Sequence, residues 1–325
     1  MGFLWSQLFV TLPYPKGSYA GKTIIVTGSN VGLGKEAARH YARLGASKII
    51  LAVRSVEKGR AAKQDIETTT KSDTSIEVWP LDMASYVSVK SFAARVASDL
   101  DRVDIVNANA GVARQSYNRA EQDEEDITVN VVSTFLLLAL ILPKLKATAT
   151  QYGIRPTFAI TSSEVHGHTK FPQQYAADGQ IFATVSDQTA AEKNWDDQYP
   201  ISKLLEVYAV RALAERAPAD SFPVTVNCLN PGLCESELGR EIPGFAFKVL
   251  KFLLARTTEA GSRTLVDAGG VQGAESHGTY LSDCHVAEPA GVVTSEAGKT
   301  AQDRVWAELV RKLEGIEPGC TKNFT

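Results

Sequence analysis

Thr27-Gly28-Ser29-Asn30-Val31-Gly32-Leu33-Gly34 is the stretch on which the fold turns. Before it stands Thr23–Thr27 (TIIVT), a β-branched run of strand length; after it Glu36–Leu44 reads as a helix that Gly45 closes. Strand, glycine-rich turn and helix in that order form a place where a backbone can approach a pyrophosphate closely. The helix N-terminus adds free N–H groups and the positive end of a dipole. Outside such a context the same glycines would be an ordinary turn.

The alternation continues outward. Lys48–Val53 (KIILAV), Ser75–Pro80, Val103–Asn107, Thr157–Thr161 (TFAIT) and Val224–Leu229 read as strands, with a last short one near Thr279–Leu281. Helices are expected over Val56–Thr68, Tyr86–Leu100, about Asp123–Lys146, and Ile201–Glu215. Strands alternating with helices give an α/β fold, a doubly wound parallel sheet of about seven strands with helices on both faces. Ligands then sit at the carboxyl ends of the strands. No linker rich in Pro, Gly or Ser is visible, so residues 1–20 read as an N-terminal arm and 21–325 as a single domain. Two long insertions, 164–198 and 237–258, interrupt the pattern and read as functional loops.

Composition excludes several classes. Apolar residues at 44 % and charged residues at 22 % are ordinary globular usage, and 34 basic against 37 acidic residues leave no excess to hold nucleic acid. Four cysteines without Cys-x-x-Cys spacing fit neither a disulfide scaffold nor a zinc site, so no metal is expected. Cys228, in an apolar run, reads as a buried thiol in a reducing, cytoplasmic compartment. Phe3–Leu12 is too short to span a bilayer and reads as an arm packed on the body, the alternative being a weak membrane or partner contact. Phe135–Leu142, which stops at Pro143, reads as a buried helix rather than a transmembrane segment.

The end of the second strand bears on the nucleotide. NAD sites usually place an acid there for the ribose hydroxyl. Here Ala52-Val53-Arg54 offers a guanidinium, which suits a 2′-phosphate, so NADP(H) is favoured over NAD. The plainer alternative is an Arg54 that starts the next helix in solvent. Tyr199-Pro200-Ile201-Ser202-Lys203 sets Tyr and Lys four apart, on one helix face. An ammonium beside a phenol favours phenolate, and such a pair can exchange protons near neutral pH. As a bare pattern it recurs by chance; its place after the fifth strand gives it weight.

With these motifs in order, the chain resembles the short-chain dehydrogenase/reductase family from about Gly21 to Ala290. TGSNVGLG (27–34) is similar to the family's TGxxxGxG, and LDM (81–83) to its Asp-apolar pair. NANAG (107–111) resembles NNAG with Ala108 in place of the first Asn, which puts one sheet-stabilising hydrogen bond in doubt. ITVNVVSTF (127–135), ITSS (160–163), YPISK (199–203) and NPGLCES (230–236) supply the rest.

The resemblance implies a Rossmann-type fold and a set of roles. Tyr199 would be the general acid or base and Lys203 would bond the nicotinamide ribose and lower the Tyr199 pKa. Ser163 would polarise the substrate carbonyl, and Asn130 would hold a relay water. Gly28, Ser29, Asn30, Gly32, Leu33, Gly34, Arg54, Asp82, Met83, Asn109, Ala110 and Gly111 would line the nucleotide. Pro231, Gly232, Leu233 and Ser236 would border the nicotinamide.

The long Ser163–Tyr199 interval and LAVR (51–54) resemble the retinol-dehydrogenase-like branch. The start FLWSQLFVTLPYP (3–15) is similar to that branch and to reductases of fungal secondary metabolism. The expected activity is NADPH-dependent reduction of a lipophilic ketone or aldehyde, or the reverse oxidation. The apolar run Ile242–Leu254 suits such a substrate as a lid; the alternative is packing on the body or on a partner subunit. His166 and His168, close after Ser163, are expected to face solvent, the alternative being contact with substrate. Two other functions stay open at this point: isomerisation, dehydration or cyclisation with NADP bound, and a non-catalytic NADP-binding module. A homo-oligomer through the helices near 123–146 and after Tyr199 is possible by family analogy.

Overall fold

The computed structural model describes residues 2–235, 238 and 254–325. Strands β1 (Thr23–Thr27), β2 (Lys48–Val53) and β3 (Ser75–Pro80) alternate with helices α2 (Gly32–Arg43), α3 (Val56–Thr70) and α4 (Tyr86–Asp99), after a short α1 (Phe3–Phe9). Then follow β4 (Ile105–Ala108), a small β5–β6 pair (Arg119–Ala120, Asp123–Glu124), α5 (Ser133–Tyr152) and β7 (Thr157–Thr161). The 164–198 insertion holds α6 (Ile181–Val185) and α7 (Gln188–Lys193). The chain closes with α8 (Gln198–Arg216), β8 (Thr225–Asn230), α9 (Thr258–Gly270), β9 (Tyr280–Ser282), β10 (His285–Ala287), α10 (Gly291–Thr294) and α11 (Glu296–Ile316).

The main sheet runs β10-β9-β8-β7-β4-β1-β2-β3. Its seven inner and edge strands from β3 to β9 are parallel, as the alternation implies, and β10 adds an antiparallel eighth. Strand β1 is buried at every position because helices cover both faces, whereas the edge strand β3 mixes buried and exposed residues. The order reverses between β1 and β4, and the crevice at that switch point is where a ligand fits.

Three elements differ from the sequence expectation. The helix placed at Asp123–Lys146 begins instead with the β6 residues and a π-helical segment, Ile127–Val132, before α5. Pro143 does not stop α5, which runs on to Tyr152. A proline leaves the carbonyl four residues back without its helical donor. Here that carbonyl, Ala139 O, accepts from Asn323 Nδ2 of the chain's end at 3.0 Å. Such a bond is worth about 0.5–1.5 kcal/mol net, and its donor is too distant in sequence to foresee. The third difference is a set of helices that the strand–helix reading did not place, α9 and the long α11 among them.

Segment Ile127–Tyr152 is, among the described residues, one helix long and apolar enough to cross a membrane, yet 83 % of its most apolar window is buried within the molecule. The faces of α5 and α8 considered for an oligomer carry the chain's own C-terminal part. Lys146 Nζ donates to Asn323 O at 2.9 Å, Arg211 Nε to Gln302 Oε1 at 3.1 Å, and Arg216 Nη2 to Asp303 Oδ1 at 2.8 Å.

Candidate active site

The glycine turn is set by backbone geometry. Gly28 (φ +65°) and Gly32 (φ +61°) lie in the left-handed region that favours glycine. A Cβ on Gly28 would meet Ala110 Cα at 2.9 Å, and one on Gly34 would meet Asn109 Nδ2 at 2.6 Å and Gly28 O at 2.8 Å. Nothing lies within 4 Å of the same position on Gly32. Two glycines therefore let β1, β4 and α2 close up, and the third leaves the front of the turn open. No side chain caps α2, so its first N–H groups face that opening. This cradle fits a pyrophosphate.

Side chains around the turn hold it in shape. Ser29 is fully buried and donates its hydroxyl to Val26 O at 2.8 Å, so toward a ligand it offers backbone. Asn30 is half-buried, and Leu33 lies against Gly261 of α9. The Thr27 hydroxyl accepts from the backbone of Asn109 at 3.0 Å and of Ala110 at 2.8 Å. Asn109 Nδ2 also donates to Thr27 O at 3.0 Å. Ala108 costs the motif no anchor: Asn107 accepts from Tyr41 at 2.8 Å and donates to Leu265 O at 3.0 Å.

Arg54 is exposed at the end of β2, with no hydrogen bond or ion pair to any other described residue. Asp82 spends one carboxylate oxygen on the Ala84 N–H at 3.0 Å, and Met83 is buried beneath it.

The catalytic candidates converge on the next strands. Tyr199 and Lys203 sit in the first turns of α8, where Pro200 costs no hydrogen bond. Lys203 Nζ is 5.6 Å from the centre of the Tyr199 ring. The π-helical segment carries Asn130, whose Oδ1 accepts from Val112 N and whose Nδ2 donates to Val112 O and to Ser202 Oγ, each at 2.9 Å. Its side chain is thus spent on holding the loop after β4. Gly111 brings that loop close: its Cβ position is 3.2 Å from Asn130 Oδ1 and 3.7 Å from Lys203 Nζ.

Of the two serines ending β7, Ser162 is buried and donates to Lys203 O at 3.2 Å, while half-buried Ser163 lies beside the Tyr199 hydroxyl. The glycine turn and Tyr199, Lys203 and Ser163 meet at one edge of the sheet. Pro231, Gly232 (φ +77°) and Leu233 follow β8, pinned by Asn230, whose Oδ1 accepts from Gly232 N at 3.0 Å and from Glu164 N at 3.2 Å. Ser236 and the apolar run Ile242–Leu254, apart from Leu254, lie outside the described residues.

Burial, the largest effect, with Glu206 and Asp126 leaves the Tyr199 phenol above its ordinary value, while Lys203 pulls it down, as the pair implies, and Ser163 does so as well. Part of that push comes from a carboxyl the motif did not include. Lys203 Nζ donates to Glu206 Oε1 at 2.8 Å and to Thr161 O at 2.9 Å, with Lys203 4 % and Glu206 1 % exposed. Burial pushes the Glu206 carboxyl up to about 7 against the pull of Lys203. Burial alone would lower the Lys203 pKa, yet Glu206 and Tyr199 hold it above the usual lysine. Asp126 is also fully buried, and burial together with Glu124 pushes its carboxyl well above the usual carboxylate range. A lone Glu in the apolar stretch Leu204-Leu205-Glu206-Val207-Tyr208 was the signal that could have marked it.

Two further residues escaped the sequence reading or turned out differently. His166 is buried rather than solvent-facing: one ring nitrogen lies 2.7 Å from Ser163 O and the other accepts from Ala290 N at 2.9 Å, while His168 is exposed. Arg256 ties α1 to the site's rim, donating to Ser6 O at 2.8 Å, Asp283 Oδ1 at 2.7 Å and Pro231 O at 3.4 Å. The 164–198 insertion is stapled down, not hinged over the site: Trp195 donates to Arg114 O at 2.7 Å, and Glu308 of α11 accepts from Ile181 N at 3.1 Å and Phe182 N at 3.2 Å.

Comparison with known proteins agrees with this architecture. Residues 22–154 match the family model described as short chain dehydrogenase. The chain is 67 % identical over 325 residues, covering 100 % of both, to the short chain dehydrogenase/reductase dmxR8 of Cryptosporiopsis sp. (strain 8999). It is 45 % identical over 285 residues to the short chain dehydrogenase atnD of Emericella nidulans, covering 86 % of this chain and 89 % of that one. Among solved structures, the oxidoreductase yciK from E. coli superposes with a TM-score of 0.60 at 24 % identity, over 83 % of this chain and 98 % of that one. The chain therefore belongs to the short-chain dehydrogenase/reductase family of oxidoreductases.

Proposed function

We propose that the chain is an NADPH-dependent carbonyl reductase, or alcohol dehydrogenase in reverse, acting on a lipophilic ketone or aldehyde. The observation that carries the reading is the convergence of Tyr199, Lys203 and Ser163 on the sheet edge that also holds the glycine turn. The nicotinamide supplies the hydride chemistry when bound. The residues of the chain do the rest. Backbone N–H groups of the turn and of α2 hold the pyrophosphate, and Arg54, which makes no hydrogen bond to another described residue, takes the 2′-phosphate. Solved neighbours of this fold are complexed with NADP or NADPH, at 23 % and 24 % identity, and with NADH, at 19 %, so the fold leaves that choice to residues such as Arg54.

Ser163 Oγ donates to the substrate oxygen and fixes it beside Tyr199. The Tyr199 hydroxyl hands its proton to that oxygen as negative charge forms on it. Lys203, with one N–H direction left after Glu206 and Thr161, holds the ribose. With the Asn130 side chain engaged, the water-holding role falls to its backbone carbonyl. A lipophilic substrate is favoured by α1, which presents Leu4, Trp5, Leu8 and Phe9 at 53–65 % exposure beside the Pro231–Gly232 rim.

Single-turnover oxidation of NADPH, and separately of NADH, against bulky ketones and aldehydes tests the reading. Oxidation with NADPH that Tyr199→Phe abolishes is expected. Oxidation surviving in Tyr199→Phe removes the proton-donor role, and no binding of NADPH removes the cofactor assignment.

A further inference from the structure

Helix α1 meets the rim of the site with Ser6 and Gln7 and turns Leu4, Trp5, Leu8 and Phe9 outward. Ser6 is spent on docking: its hydroxyl donates to Asp283 Oδ2 at 2.7 Å, and its carbonyl accepts from Arg256 Nη2 at 2.8 Å. Arg256 also clamps the loop after β8, because its N–H donates to Leu233 O at 2.8 Å and its carbonyl accepts from Glu235 N at 2.9 Å. The helix and the Pro231–Leu233 loop are thus held together.

Gln7 is not spent. Its amide nitrogen and oxygen are both buried, and neither has a hydrogen-bond partner among the described residues. The amide lies on Gly232, where a Cβ would meet Gln7 Nε2 at 2.5 Å and Arg256 Nη1 at 2.9 Å. The same loop is tied to the Ser163 side of the site through Asn230 Oδ1, which accepts from both Gly232 N and Glu164 N. A buried amide left unpaired costs stability, so its retention calls for a partner. The charges that dock α1, Arg256 and Asp283, pair with each other at 2.7 Å. A group that satisfies Gln7 is therefore neutral and brings both an acceptor and a donor.

We propose that Gln7 is a ligand-binding residue, delivered to the site by α1, that takes a neutral donor–acceptor group of what binds beside Gly232. Two molecules bring that chemistry: a nicotinamide through its carboxamide, and a ketone substrate that carries a hydroxyl as well. This rests on the reductase reading, which places both at this rim.

Gln7→Met keeps the length of the side chain and removes both polar atoms. Melting of the free protein, binding of NADPH, and binding of α-tetralone and its monohydroxylated derivatives to the NADP⁺ complex are followed by calorimetry. Because the amide is unpaired before a ligand arrives, free Gln7→Met is expected to melt at or above the native temperature. Affinity for the ligand that Gln7 holds is expected to fall about 2- to 10-fold. Weaker NADPH binding assigns Gln7 to the carboxamide. Native NADPH affinity, with weaker binding of a hydroxylated tetralone and unaltered binding of α-tetralone, assigns it to the substrate. Native affinity for all of them overturns the proposal, and if no ketone binds the native complex, the NADPH comparison alone decides. Gln7→Leu repeats the melting comparison; both variants melting below native makes Gln7 structural and also overturns the proposal. A native protein that binds no NADPH removes the reductase reading, and the melting comparison then still judges Gln7.

Discussion

The glycine-turn end and the tyrosine–lysine end of this site are adjacent, yet they are made of different things. At the glycine turn, Gly28, Gly32 and Gly34 act by where they let the backbone run, and the nearest side chains are spent on holding that path. At Tyr199, the backbone only delivers the groups; reactivity follows from an ammonium and a carboxylate buried together. A backbone path is specified by residue type at fixed spacing. A pKa is specified by every charge within several ångströms, whatever its place in the chain.

The sharpest way to separate the two ends is Tyr199→Phe. Loss of a positioned acid typically costs about 10²–10⁴-fold, so the single-turnover rate should fall by that much while NADPH affinity holds. A parallel loss of affinity would mean that the ends are not separable.

Arg54→Ser probes the other end. A charge-assisted bond is worth about 1.5–3 kcal/mol, so NADPH affinity should fall by about 10–100-fold with NADH affinity unchanged. Equal losses for both nucleotides would remove the 2′-phosphate contact. Gly34→Ala should cost about 1–3 kcal/mol of stability, read as a lower denaturation midpoint, because its Cβ must displace the Asn109 amide and Gly28 O. An unchanged midpoint would show that the turn has slack.

The smallest effect is a pH dependence of stability. Burial raises the Glu206 and Glu124 carboxyls to about 7, above the roughly 4.3 of an unfolded glutamate. Native protein then binds more protons than unfolded protein in that window, so their contribution is full below the unfolded value and is lost as pH rises to 7. Melting temperature should decline from pH 5 to pH 8, and Glu124→Gln should reduce the decline. Asp65, held at about 2 chiefly by its hydrogen bonds to Lys35 and Arg39, titrates below this window, so Asp65→Asn should leave the slope as it is. A flat native profile would contradict the buried-carboxyl picture.

Much of the molecule was legible in one dimension. Strands β1, β2, β3 and β7 fall on the residues that β-branched runs mark, and the glycine turn and the Tyr199–Lys203 pair stand where their neighbours in sequence put them. These features depend on contacts within a few residues or on a repeated period. Others were not legible. The passage of α5 through Pro143 depends on Asn323, 180 residues further on in a chain of 325. The burial of His166 depends on Ala290, and the docking of α1 on Arg256 and Asp283.

The sequence by itself determined a parallel α/β sheet, a glycine-rich turn at its switch point and a tyrosine–lysine pair beside it. Tertiary structure alone decided that α11 and the chain's end cover the outer helices, and that Lys203 carries a buried carboxylate partner. The physical reason is range: periodicity and turn chemistry act between near neighbours, whereas desolvation and charge pairing act between whatever residues folding brings together.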